Sequence, residues 1–275
     1  MNNHDVTLVI GGTGKTGRRV VDRLHHLGLP FRLGSRSAAP AFDWEDRKTW
    51  LPCLEGITQA YVTYYPDLCV PGAIETVQDF FGQAVDAGVR KLVLLSGRGE
   101  VDAEQAEQAL KICGADWTVL RCSFFCQNFS ESFFLDPIIA GEVALPIRPV
   151  GEPFVDADDI ADVAVAALTD RRHSGQLYEL TGPRALTFAA AINEIARATG
   201  RDIRYLTITP EAYRAALVEA QVPDNVIDLI LYLFCTVLDG RNEAVGDGVQ
   251  RALGRPARDF NEYVKRTAAT GTWGA

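Results

Sequence analysis

Dense apolar runs alternate along this chain with longer stretches in which apolar residues recur every three or four positions. Residues 6–10 form a β-branched run that predicts a first strand, followed by a glycine turn. Beyond the turn, Val20, Val21, Leu24 and Leu27 keep one helical face until Gly28 stops it. Further strands are predicted at 31–34, 59–63, 91–95 and 117–120, with helices over 46–54, 74–87 and 102–112 between them. These strands are apolar without polar alternation, as in a sheet covered on both faces. Alternation of strands and helices at this spacing predicts an α/β fold with a doubly wound parallel sheet.

After about residue 123 the pattern loosens. Helices are predicted over 159–168, 188–198, 211–220 and 226–238, and short strands at 176–180 and 203–206. A chain of 275 residues suits one large α/β domain or two closely joined ones. The division expected is a sheet domain over 1–150 and a smaller, mostly helical region over 151–275, interleaved with it. In the 226–238 helix, Val226, Ile227, Leu229, Ile230, Leu231, Leu233, Phe234, Val237 and Leu238 cover more than one buried stripe. Three readings stand: it sits in the core, closes a substrate pocket, or packs against a second copy in a homodimer.

Composition narrows the class. Apolar residues make up 47% of the chain and charged residues 23%, a balance that supplies a core. With 27 basic and 36 acidic residues the formal net charge is −9, which argues against nucleic acid or an anionic membrane as partner. No apolar run approaches the ~20 residues of a membrane helix, and no basic, apolar leader opens the sequence. A cytoplasmic protein is expected. The six cysteines form no pair with a two-residue gap, and there are only four histidines. Free thiols and no metal site are therefore expected.

The most chemistry lies in Gly11-Gly12-Thr13-Gly14-Lys15-Thr16-Gly17. Gly12, Gly14 and Gly17 satisfy the dinucleotide spacing, and Gly11, Gly14 and Gly17 its variant. One glycine allows the tight turn, another removes a side chain where pyrophosphate must approach, and Gly17 lets helix pack close to strand. The helix start then offers N–H groups and a positive dipole end. A triphosphate loop would need glycine where Val9 stands. At the end of the second strand an acidic residue would select an unphosphorylated ribose. Ser35, Arg36 and Ser37 stand there instead, suited to a 2′-phosphate, so NADPH is expected over NADH.

With these residues placed, the chain resembles the NmrA-like branch of the atypical short-chain dehydrogenases/reductases. The likeness runs through Leu92-Val93-Leu94-Leu95-Ser96, Glu107-Gln108-Ala109-Leu110 and Gly114-Ala115-Asp116-Trp117-Thr118-Val119-Leu120-Arg121. It continues in Phe125-Cys126-Gln127-Asn128-Phe129 and Pro153-Phe154-Val155-Asp156-Ala157-Asp158-Asp159-Ile160-Ala161. A departure is Cys122, where many relatives have proline. Within the branch, Phe31, Gly34, Ser35, Phe42, Trp44, Thr49 and Trp50 resemble the ergot-alkaloid dehydrogenases, which reduce a cyclic iminium. The resemblance implies a Rossmann sheet with a small C-terminal region over the nicotinamide end. It also implies a cofactor path along Thr63, Tyr64 and Tyr65, Ser96 and Gly97, and the loop of Phe124 and Phe125. Each has a plainer alternative: Tyr64 and Tyr65 as loop aromatics, Phe124 and Phe125 as core. Gln127 and Asn128 either orient the amide or substrate or cap the following helix. Tyr232 either offers its hydroxyl to substrate or is satisfied in the core.

Most short-chain dehydrogenases reduce carbonyls with a tyrosine followed four positions later by lysine, because the alkoxide formed needs a proton. None of the eight tyrosines has lysine at that spacing. No lysine lies between Lys91 and Lys111. Chemistry that requires mainly positioning fits this lack: hydride transfer to an imine, iminium or quinone-like acceptor, small and largely apolar. Ser96 and Tyr64 are the candidate polar groups near the transferred hydride. The alternatives are a non-catalytic dinucleotide sensor acting on a protein partner, and a carbonyl reductase with a displaced tyrosine acid at Tyr64 or Tyr65.

Overall fold

The computed structural model describes residues 5–274. Along the chain the first elements are β1 (Thr7–Ile10), α1 (Gly17–His26), β2 (Phe31–Gly34), α2 (Trp50–Leu54), β3 (Gln59–Val62), α3 (Ala73–Asp86), β4 (Lys91–Gly97), α4 (Val101–Ile112) and β5 (Asp116–Cys122). There follow α5 (Leu135–Ala140), β6 (Glu142–Leu145), α6 (Ala157–Thr169), β7 (Gln176–Leu180), α7 (Phe188–Thr199) and β8 (Arg204–Thr207). The last are α8 (Pro210–Glu219), α9 (Asp224–Tyr232), α10 (Gly248–Leu253) and α11 (Phe260–Ala268). Contacts divide the chain into two compact units. The first holds the described residues up to Cys122, Ala157–Leu180 and Asp247–Arg255. The second holds Ser123–Asp156, Thr181–Gly246 and the chain from Pro256. The expected boundary near 150 differs from this division, because α6 and β7 return to the first unit.

The first unit is a six-stranded parallel sheet in the order β2-β1-β3-β4-β5-β7. Every residue of β1 and β3 is buried, which explains their unbroken apolar character. One side of the core gathers Leu8, Ile10, Val62, Phe80, Leu92 and Leu94 with the aromatic group Phe42, Trp44 and Trp50. The indoles of Trp44 and Trp50 donate to the carbonyls of Thr63 and Asp43, so these polar tips are satisfied. Helix α1 is tied to α6 by Arg23, which pairs with Asp158 and Asp162. The expected helix over 46–54 begins as a short 3₁₀ turn at Arg47–Thr49, where Asp46 caps the N–H of Lys48.

The second unit packs Phe129, Phe134, Phe154, Phe188, Phe234 and Phe260 into one cluster beside the two-stranded β6–β8 sheet. Tyr263 donates to Ser130 Oγ at 2.8 Å, and Trp273 to the Phe129 carbonyl at 2.8 Å. The expected single helix over 226–238 is an α-helix only to Tyr232 and then a π turn, Leu233–Val237. Its wider closure, Leu238 N–H to the Leu233 carbonyl, brings Phe234 and Val237 into the core while Cys235 and Thr236 stay exposed. Among the described residues no helix is long and apolar enough to cross a membrane.

Candidate functional site

Strand β1 delivers the chain into a turn that depends on missing side chains. Gly11 adopts φ 68°, in the left-handed region. A Cβ on Gly17 would lie 2.1 Å from the Gly11 carbonyl oxygen and 2.9 Å from Gly12 Cα. Only glycine lets α1 start this close to the strand end. Gly14 N–H closes the turn on the Gly11 carbonyl at 2.8 Å. Thr13 and Gly14 are exposed, Lys15 is half-buried, and Thr16 is buried at the N-cap without capping through its side chain. No acidic residue occupies the first turn of α1, so no carboxylate of that turn competes for its positive end. A bare, exposed bend leading into such a helix start fits a diphosphate.

The neighbouring strand ends complete this edge. After β2, the Ser35 carbonyl accepts from the N–H groups of Ala38 and Phe42, and Ser35 Oγ lies 3.3 Å from Ser37 Oγ. Arg36 is exposed and has no ion-pair partner among the described residues. After β3, Thr63 Oγ donates to the Ile10 carbonyl at 3.1 Å, bracing the turn. Tyr64 packs on Trp44 with ring centroids 5.0 Å apart, whereas Tyr65 is 76% exposed. Tyr64 is half-buried against the aromatic core.

At the end of β4 the structure departs from the sequence reading. Ser96 is buried and donates to Glu107 at 2.7 Å, and Arg121 clamps the same carboxylate with two bonds. Its proton is committed to Glu107, so the candidate Ser96 presents no free O–H. Gly97 is covered: an ideal Cβ there would meet the Glu100 carboxyl at 2.1 Å. Glu100 accepts from Cys69 Sγ at 2.9 Å, and donor atoms of Asp67, Cys69 and Glu100 all lie within 4.8 Å of one another. Burial pushes the Glu100 carboxyl up to about 8, and the Asp67 carboxylate pushes it the same way. Burial also raises the Cys69 thiol, with Glu100 adding to the effect.

Sequence reasoning missed this group. Cys69 and Glu100 are 31 positions apart, and only the pairing of β3 with β4 brings their loops together. The folded carboxyl keeps its proton to about pH 8, whereas the unfolded one releases it near 4.5. Its contribution to stability is therefore complete below 4.5 and disappears as pH rises through about 8. Over that window the melting temperature of the unaltered protein should fall relative to that of Glu100→Gln. Parallel curves for the two proteins would contradict this.

The second unit holds the remaining candidates. Phe124 is half-buried and packs on Phe188 and Phe234, with centroids 6.3 and 6.4 Å away. Phe125 is half-buried and bridges to Val155. Gln127 is buried and donates to Asp156 at 2.8 Å, a partner that neither sequence alternative named. Asn128 is half-buried in the short turn Cys126–Phe129, and Tyr232 is half-buried at the end of α9. Ser123 keeps a buried hydroxyl with no hydrogen-bond partner among the described residues.

Sheet order and glycine turn together define a Rossmann-type nucleotide-binding fold. No family model matches the chain. The NAD(P)H azoreductase of Xenophilus azovorans is 31% identical, covering 95% of this chain and 98% of that protein. Agroclavine dehydrogenase of Claviceps fusiformis is 30% identical, covering 94% and 95%. The crystal structure of NmrA, a negative transcriptional regulator, in complex with NADP matches at a TM-score of 0.75 and 15% identity, over 100% of both chains. The chain belongs to the NmrA-like family of atypical short-chain dehydrogenases/reductases.

Proposed function

We propose that this protein is a cytoplasmic NADPH-dependent reductase that transfers hydride to a small, largely apolar electrophile, an imine, iminium or quinone-like acceptor. The observation that carries the reading is the bare turn, in which any side chain on Gly17 would strike the Gly11 carbonyl at 2.1 Å. Backbone groups of Gly11, Gly12, Thr13, Gly14, Lys15, Thr16 and Gly17 hold the pyrophosphate, and Ser35, Arg36 and Ser37 the 2′-phosphate. NADPH held there supplies a hydride. Arg36 adds charge selectivity, and Thr63 keeps the turn in shape through Ile10. The lack of a tyrosine–lysine pair supports acceptors whose reduction depends on positioning. The azoreductase relative supports the same class, since an azo group is an unsaturated nitrogen electrophile.

The test is NADPH oxidation with a panel of imines, quinones, azo dyes, enones and ketones. Turnover of a nitrogen or quinone-like acceptor at micromolar concentration is the expected result. Ketone turnover alone, lost in Tyr64→Phe, would replace it with the carbonyl reductase. Tight NADPH binding without turnover of any class would replace it with the sensor reading, which the likeness to NmrA favours.

A further inference from the structure

At the carboxyl edge between β3 and β4, the Glu100 carboxyl lies against the bare face of Gly97 and within reach of Asp67 and Cys69. Gly97 ends β4 at the carboxyl edge, where sheets of this kind bind their ligands, so this carboxyl borders the edge that would receive the dinucleotide. We propose that Glu100, backed by Asp67 and Cys69, is the proton source for acceptors whose reduction leaves a basic atom, taking the part of the missing tyrosine–lysine pair. The assignment rests on the reductase reading.

Two carboxyl groups this close do not both ionise at low cost, so the pair retains a proton. The bond from Cys69 Sγ to Glu100 Oε2, 2.9 Å, fixes the carboxyl's position. The titratable groups facing Glu100 are Asp67 and Cys69 from the loop after β3, Asp102 from the first turn of α4, and Cys122 at the end of β5. None of these is a cation; the hydrogen bond from Cys69 favours the ionised form, but the Asp67 and Asp102 carboxylates oppose it. Burial acts in the same direction: Glu100 is 7% exposed.

The chemistry separates acceptors by their need for that proton. An azo compound or neutral imine that gains hydride on one atom pushes the π pair onto its neighbour, which becomes a strongly basic anion. The Glu100 O–H bond then breaks, the proton bonds to that atom, and the carboxylate regains a proton from solvent. A fully alkylated iminium becomes a neutral amine on gaining hydride and takes no proton. Glu100 therefore divides the two classes, whereas a residue that only holds the fold would affect both.

The experiment measures NADPH oxidation with an azo dye and with an alkylated iminium salt from pH 6 to 9. The unaltered protein, Glu100→Gln and Asp67→Asn are compared, and the carboxyl C=O stretch of each free protein is followed by infrared difference spectroscopy. In Glu100→Gln the azo turnover should fall by about 100-fold, the scale of one positioned proton donor, with iminium turnover retained. In Asp67→Asn the alkaline limb of azo turnover should move to lower pH, a readout that stands if Glu100→Gln does not fold. The infrared band present in the unaltered protein at pH 6 should vanish in Glu100→Gln. Equal losses on both acceptors, no loss on either, or an unchanged band would overturn the assignment to Glu100 alone. Absence of turnover with both acceptors in the unaltered protein would overturn the reductase reading and the proton source with it.

Discussion

Gly17→Ala is expected to lower both NADPH affinity and the melting temperature, and Gly14→Ala to lower affinity alone. At Gly17 the added Cβ meets only backbone: Gly11 O at 2.1 Å, Gly11 C at 2.6 Å and Gly12 Cα at 2.9 Å. No rotamer change relieves such a clash, so α1 must withdraw from the turn it caps. Overpacking of this kind costs roughly 1–3 kcal/mol and moves the amides that face the pyrophosphate. Affinity should fall by roughly 10- to 100-fold or more, on the scale of about 1.4 kcal/mol per tenfold. At Gly14 the protein offers little obstruction, with only the Gly11 carbonyl at 3.2 Å, but the new methyl stands where pyrophosphate would approach. Fluorescence titration and thermal melting of the two variants check the contrast. A Gly17→Ala protein that binds and melts like the unaltered one would contradict it.

The second large effect concerns Arg36. A charge-assisted bond to phosphate contributes about 1.5–3 kcal/mol, and solvent screening at an exposed position lowers the net value. Arg36→Ala should therefore weaken NADPH by about tenfold and leave NADH nearly unchanged. Arg36→Glu goes further. Its carboxylate repels a 2′-phosphate and accepts hydrogen bonds from a ribose hydroxyl, so the preference should reverse. Higher salt should narrow the gap in the unaltered protein, as expected of a screened pair. An unmoved preference in Arg36→Glu would remove Arg36 from the cofactor site.

Much of the first unit was legible because its signals are local. Hydrophobic runs marked the buried strands, β7 fell on the residues predicted, and Gly11, Gly14 and Gly17 announced a turn whose geometry depends on them. The remainder depends on contacts between distant positions. Glu107 looked like part of a helix motif, yet it receives Ser96 and Arg121 in a buried network. Gln127 suggested either a group that orients ligand or a helix cap, and its bond to the distant Asp156 was visible in neither reading. Glu100 carried no motif at all; its chemistry comes from burial and from the loop after the preceding strand, 31 positions away at Cys69. Short α10 and the partly polar α11 escaped notice because one or two turns give periodicity too little length to register. The π turn at Leu233–Val237 was hidden by apolar residues on every side of its helix.

Equilibrium titration of the purified protein with NADPH and NADH bears most directly on the bare bend between β1 and α1. Saturable binding of NADPH at micromolar concentration, tighter than that of NADH and weakened in Gly14→Ala, is the predicted result. Indifference to both nucleotides at millimolar concentration would contradict it.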